Sequence, residues 1–242
     1  MTAIPPVLVG CSHGTDSRAG RDAISSILVD VALARPDLVV REAFVDVQRP
    51  EVDDVVADAV GDAPVVVVPL LLSVGFHVKV DVARAVDRAG AGAARPMGPD
   101  GRLVDILADR LAAAGLRDDD AVVLASAGSS DPDAADAVRE VVAALSARLG
   151  RPVFVGYGAG AHPRVPAAVQ AARADLPPGG RVVVAAYLLA PGHFLDRVLE
   201  AGADVVTRPL APDARLAQIA LDRYEEVAAD AATTWQPVAA GT

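Results

Sequence analysis

Val7-Leu8-Val9-Gly10-Cys11-Ser12-His13-Gly14 is the stretch that decides the fold. A short apolar run closed by Ser-His-Gly reads as a buried strand with a polar tip. A second run, from Val65 through Pro69 and Gly75 to His77, has the same build. The chain holds only four histidines, and His13 and His77 each follow one of these strands. Strands that are apolar throughout belong to parallel sheets covered by helices on both faces. Open sheets of that kind bind ligands outside the carboxyl ends of their strands. The two histidines therefore fall where such a fold does chemistry.

Outward from these runs, short Val-rich segments alternate with longer Ala/Asp/Arg segments. The first half predicts strands at 6–11, 38–46 and 65–72. Its helices are expected at 18–34, from Pro50 onward, at about 78–89 and at about 101–114. Pro50 suits a first helical turn, where its missing N–H has no partner to lose. The Asp118-Asp119-Asp120 cluster reads as a linker. The second half predicts strands at 122–126, 153–157, 182–189 and 204–207. Helices are expected at 132–149, 163–175, near 194–201 and at 213–230, with a frayed tail from Thr233.

The halves match in sequence. Ser12-His13-Gly14-Thr15 corresponds to Ser126-Ala127-Gly128-Ser129, and Arg49-Pro50-Glu51-Val52 to His162-Pro163-Arg164-Val165. The segment from Leu70 to Gly75 corresponds to that from Tyr187 to Gly192. A tandem duplication predicts two similar α/β domains, 1–117 and 118–242, each with a flavodoxin-like parallel sheet, facing each other across a cleft. The first carries the complete site. In the second, Ala127 replaces His13, Gly158-Ala159 replaces Val45-Asp46, and His193 follows its glycine one place early.

Composition narrows the function. A formal charge of −10 argues against generic nucleic-acid binding and against adhesion to anionic lipid. The single Cys11 excludes an internal disulfide and a Cys-rich zinc site, and is expected in the core. The apolar stretch from Ala63 to Val78 is too short to span a bilayer, and no N-terminal segment has the build of an export signal. The expectation is a cytoplasmic protein without membrane attachment.

His13 and His77 are candidate metal ligands and bases, because neutral imidazole binds divalent transition metals and accepts protons near neutrality. Asp46, closing the second strand, is the candidate anionic ligand. Such a set suits Fe²⁺, Co²⁺, Ni²⁺ or Zn²⁺. Gly14 and Gly75 allow close backbone approach to a ligand. Ser12 and Thr15 can bond a substrate carboxylate or cap the following helix. His193 either lines the cleft or starts a helix, and His162 reads as structural. The sequence from Gly156 to Gly160 lacks the complete dinucleotide-loop pattern.

The segments Val9-Gly10-Cys11-Ser12-His13-Gly14-Thr15 and Ala43-Phe44-Val45-Asp46, with Pro50, resemble the sirohydrochlorin chelatase family of the CbiX/SirB type. So does the segment from Pro69 to Asp81, and the resemblance covers both halves. It implies a chelatase fold and insertion of Fe²⁺ or Co²⁺ into sirohydrochlorin, towards sirohaem or cobalamin. It also implies that His13 and His77 bind the metal, which is a substrate; no tightly bound cofactor is expected. The family commonly has glutamate where Asp46 stands. Ser12, Gly14, Gly75, Lys79 and His193 are the expected substrate contacts. Arg18, Arg49 and Arg84, with Lys79, are candidates to offset the substrate's carboxylates. The duplication makes a monomer sufficient.

Two other functions fit parts of the pattern. A two-lobed carrier of a metal or tetrapyrrole keeps the histidines without turnover. Phosphoryl transfer through His13 also follows from His-Gly after a first strand, but Ser12 stands where histidine phosphatases have arginine, and the duplication has no role there.

Overall fold

The computed structural model describes residues 5–75, 78–87 and 90–235. The first repeat runs β1 (Val7–Ser12), α1 (Arg18–Ala34), β2 (Val40–Phe44), α2 (Val52–Ala59) and β3 (Val65–Pro69). A π-helical turn (Val78–Val82) then leads into α3 (Ala83–Ala85), β4 (Ala91–Ala93) and α4 (Gly101–Ala113). The second repeat runs β5 (Ala121–Ser126), α5 (Pro132–Leu149), β6 (Val153–Tyr157), α6 (Val165–Ala174), β7 (Val182–Tyr187), α7 (His193–Leu199), β8 (Val205–Val206) and α8 (Ala214–Thr234).

Two four-stranded parallel sheets result, ordered β2-β1-β3-β4 and β6-β5-β7-β8. The expected α/β class and strand order are both present. Registers also agree between repeats: Leu8 pairs with Val40 as Val122 does with Val153, and Val7 pairs with Val65 as Ala121 does with Val182. These pairings reproduce the spacings of the sequence matches, so the duplication is visible residue by residue.

Aliphatic side chains fill both cores. In the first, Val9, Cys11, Val65 and Val67 of the sheet meet Val52, Val56, Val82 and Ala85. In the second, Val123, Ala125, Val182 and Val184 meet Val165, Val169 and Val198. Each buried Val or Leu contributes roughly 1.5–3 kcal/mol relative to exposure. With aromatics at 3% of the chain, such contacts dominate the packing.

Several local expectations are corrected. Pro50 precedes the N-cap Glu51, so α2 starts two residues after the proline. The helix expected at 78–89 is the π-helical turn followed by the three-residue α3. β4 has no β-branched residue to announce it, yet it pairs with Val65–Val67. At the start of the expected tail, α8 continues to Thr234 and the Trp235 indole N–H donates to the Val60 carbonyl at 2.8 Å, while the rest of that tail lies outside the described residues.

The acidic cluster is also more than a linker. The Asp120 side chain is fully buried, accepting from the Arg117 and Arg181 backbone N–H groups and both guanidiniums. These contacts, the Arg181 guanidinium foremost, hold its carboxyl well below the usual range.

Packing divides the chain differently from the repeats expected at 1–117 and 118–242. One compact unit comprises 1–97 with 214–242, and the other comprises 98–213. Thus α8 belongs to the unit of the first sheet and α4 to that of the second. Within the first unit, the Tyr224 hydroxyl donates to the Pro6 carbonyl at 2.7 Å. Arg223, 2% exposed, donates to the carbonyls of Pro96 and Met97. Arg35 pairs with Glu225, and Arg95 with Glu226.

Truncation after Asp213 is therefore expected to abolish the first unit's cooperative unfolding, although all four strands of its sheet remain. Limited proteolysis and circular dichroism check this. Asp120→Ala is expected to cost about 2–4 kcal/mol in urea unfolding, because it strands buried donors. Since the folded carboxyl titrates below its unfolded counterpart, the stabilisation is complete above the unfolded value, about 4, and fades as pH falls towards the folded one. The wild-type advantage over Asp120→Asn should shrink along that acid limb.

Candidate active site

The tip of β1 is flanked on both sides. The Val45 N–H donates to the Ser12 carbonyl at 3.0 Å, which carries β2 alignment one residue further and brings Asp46 level with His13. On the other side, the Leu70 N–H donates to the Cys11 carbonyl at 2.7 Å. The segment leading to Gly75 thus leaves β3 beside the same tip.

His13 Nε2 lies 3.8 Å from Asp46 Oδ2, and both side chains are open to solvent, 46% and 62% exposed. An imidazole and a carboxylate at that separation can share a cation, or form an ion pair when the imidazole is protonated. Behind His13, Gly14 turns at φ +88°, and a Cβ there would meet the Gln48 backbone nitrogen at 2.9 Å. The Gln48 side-chain oxygen accepts from the Thr15 N–H at 2.9 Å. Ser17, rather than Ser12 or Thr15, caps α1, accepting from the Gly20 N–H. The His13 loop is thereby pinned from behind while its imidazole faces outward.

Beneath the tip, Cys11 is fully buried and the Ser12 hydroxyl is closed off from solvent, without a hydrogen-bond partner among the described residues. Burial, and then the nearby Asp81 carboxylate, push the Cys11 thiol up to about 12. Such a thiol stays protonated at neutral pH and is a poor metal ligand. Asp81 itself has a 15%-exposed side chain, 3.4 Å from Arg84, which also pairs with Asp53 at 2.7 Å.

The expected residues divide into three groups. Ser12, His13, Gly14 and Asp46 come together at the β1 and β2 tips. Gly75 and Lys79 follow β3, where the Gly75 carbonyl accepts from the Lys79 N–H at 3.1 Å. His77 lies outside the described residues. Among the described residues, no group of three His, Cys, Asp or Glu side chains is poised for a metal. In the other unit, His193 is exposed and opens α7, its ring edge-on to Phe194 at 5.6 Å. His162 is likewise exposed.

Reasoning from sequence passed over Gln48 and Asp81. Gln48 carries no local signal. Asp81 ends the motif that begins at Pro69, and that position was its one available sign. Of the proposed carboxylate-binding cations, Arg49 pairs with Glu51, Arg84 with two acids, and Arg18 lies 4.0 Å from Asp22.

A duplicated parallel α/β unit with its polar site at the first strand tip defines a two-repeat protein of chelatase fold. The CbiX family model matches residues 7–114 and again 121–227, so the chain belongs to the CbiX family, the sirohydrochlorin chelatase family that its motifs resemble. Among solved structures, SirB from Bacillus subtilis with Fe³⁺ is similar at 20% identity and a TM-score of 0.79, covering 96% of this chain and 99% of that one. The sirohydrochlorin chelatase SirB from Bacillus subtilis subspecies spizizenii, in complex with cobalt, is 18% identical with a TM-score of 0.75, covering 96% and 98%. The multi-domain DR2241 from Deinococcus radiodurans is 17% identical with a TM-score of 0.64, covering 91% of this chain and 54% of that one. At these identities the likeness is one of fold. No curated protein matches. No described helix is long and apolar enough to cross a membrane.

The buried thiol should not react with a disulfide reagent such as DTNB in the native protein, and should react at once in denaturant. Gly14→Ala is expected to cost about 1–2 kcal/mol, because an L-residue is strained at positive φ. Thermal unfolding measures that loss.

Proposed function

We propose that this protein inserts Fe²⁺ or Co²⁺ into sirohydrochlorin, towards sirohaem or cobalamin, as a cytoplasmic monomer. The observation that carries the reading is the solvent-facing His13 imidazole beside the Asp46 carboxylate at the β1 tip, in a chain of the CbiX family. The iron and cobalt bound to the two SirB proteins favour the same pair of metals.

Metal insertion removes two pyrrole N–H protons and exchanges the metal's water ligands for four ring nitrogens. In this reading His13, His77 and Asp46 hold the incoming ion. Few protein ligands bind it loosely enough to release it, while a neutral imidazole accepts a proton from the ring. The pinned loop keeps the His13 ring oriented while the ion passes. Gly14, Gly75, Lys79 and His193 are the proposed macrocycle contacts, with Ser12 supporting the tip from within.

Anaerobic absorbance assays with sirohydrochlorin and either metal test the proposal. His13→Ala and His77→Ala are each expected to lower turnover about 10²–10⁴-fold, and Asp46→Asn less. Wild-type rates in both histidine variants would overturn the assigned roles. Product that never exceeds one equivalent per chain would instead identify a binding or carrier protein.

A further inference from the structure

The second repeat has an open cavity of about 470 Å³ whose lining includes Ala159, Arg164, Pro166, Arg197 and Glu200. Its floor includes the buried Val165 and Val198. That volume lies in the range of small-molecule sites.

Two independent observations mark it as a site for anions. The first is the state of its arginines. Among the described residues, the guanidiniums of Arg164, Arg197 and Arg208 alone have no hydrogen bond or ion pair. Two of those three line this one cavity. In a chain of formal charge −10, acids are abundant, and two unclaimed cations in one concavity are unexpected.

The second observation is the comparison between repeats. The isolated bridge between Tyr157 and Arg164 is the counterpart of that between Phe44 and Glu51, which fixes the residue correspondence structurally. At this place the first repeat carries Asp46, Glu51, Asp53 and Asp54, where the second carries Ala159, Arg164, Pro166 and Ala167. One acid is reversed in sign and three are lost. In the first repeat Asp53 pairs with Arg84, whereas the second has Pro166 at the position of Asp53 and so places no carboxylate there beside Arg197. Glu200 is the one acid in the lining, so the cations outnumber it. Arg164 also stands at the N-cap position of α6, whose positive end adds to the attraction for an anion.

We infer that the second repeat has exchanged cation chemistry for a binding site for a small multivalent oxyanion, a phosphate or a polycarboxylate, held by Arg164 and Arg197. Guanidinium suits both groups through paired N–H donors. The inference does not rest on metal insertion and is tested without it.

Calorimetric titration of the full chain with inorganic phosphate and, separately, with propane-1,2,3-tricarboxylate is the experiment. Saturable binding that persists at physiological ionic strength is expected for at least one of them, and the tighter names the class. The R164Q/R197Q variant should weaken it by about tenfold or more, while R208Q should leave it unchanged. P166D restores the first repeat's acid at a helix start that tolerates it, and should weaken binding equally, so a folding defect in the arginine variant would not decide the matter. Absence of saturation by either anion, its disappearance at physiological salt, or equal weakening by R208Q overturns the inference.

Discussion

Parallel pairing of β1 with β3 is the constraint from which the remainder follows. Parallel neighbours end on the same edge of a sheet, and the chain must cross over a face to return. Because β2 and β3 flank β1 on opposite sides, the loop after β1 emerges between two other strand exits. The residue at that tip can meet side chains far away in sequence, and His13 occupies it. The backbone bonds from Val45 to Ser12 and from Leu70 to Cys11 set the levels at which those exits lie. The site is a product of register before it is a product of side chains.

Much of this was legible in the sequence because the strands are strong patterns. Valine-rich runs free of polar residues specify burial on both faces, and the repeat fixed their order twice. The weak points were weak physically. β4 is Ala-Gly-Ala, carried by pairing with a valine strand rather than by any propensity of its own. Trp235 reads as part of a tail, yet it finds the Val60 carbonyl through tertiary contact. Asp120 looked like solvated linker because a charge cluster gives no hint that two arginines and two backbone N–H groups converge on one member. At the candidate site, sequence located His13 and Asp46 through their strand-end positions. Gln48 acts through a single side-chain bond to a loop N–H, which no spacing rule encodes. The influence of Asp81 on the Cys11 thiol was equally invisible, since the two lie far apart along the chain.

The two repeats illustrate how one backbone supports opposite electrostatics. Both keep the glycine turn after the first strand, at Gly14 and Gly128, and both keep the bridge that launches the second helix. What diverged is the charge placed on that frame. Four acids follow the second strand of the first repeat, and their counterparts in the second are neutral or basic. Retained geometry with altered charge is what duplication permits, because either copy can satisfy the packing while the other changes its chemistry.

The placement of α8 has a consequence for synthesis. Ribosomes deliver the chain from its amino end, so the four strands of the first sheet emerge long before the helix that seals them. Tyr224 and Arg223 reach back to carbonyls at Pro6, Pro96 and Met97, and none of those bonds can form until the whole second repeat has been translated. A nascent intermediate in that interval has the first sheet without the cover that α8 gives it. Such intermediates are open to aggregation and invite chaperone capture. Translation speed across the second repeat thereby becomes part of how the first one matures.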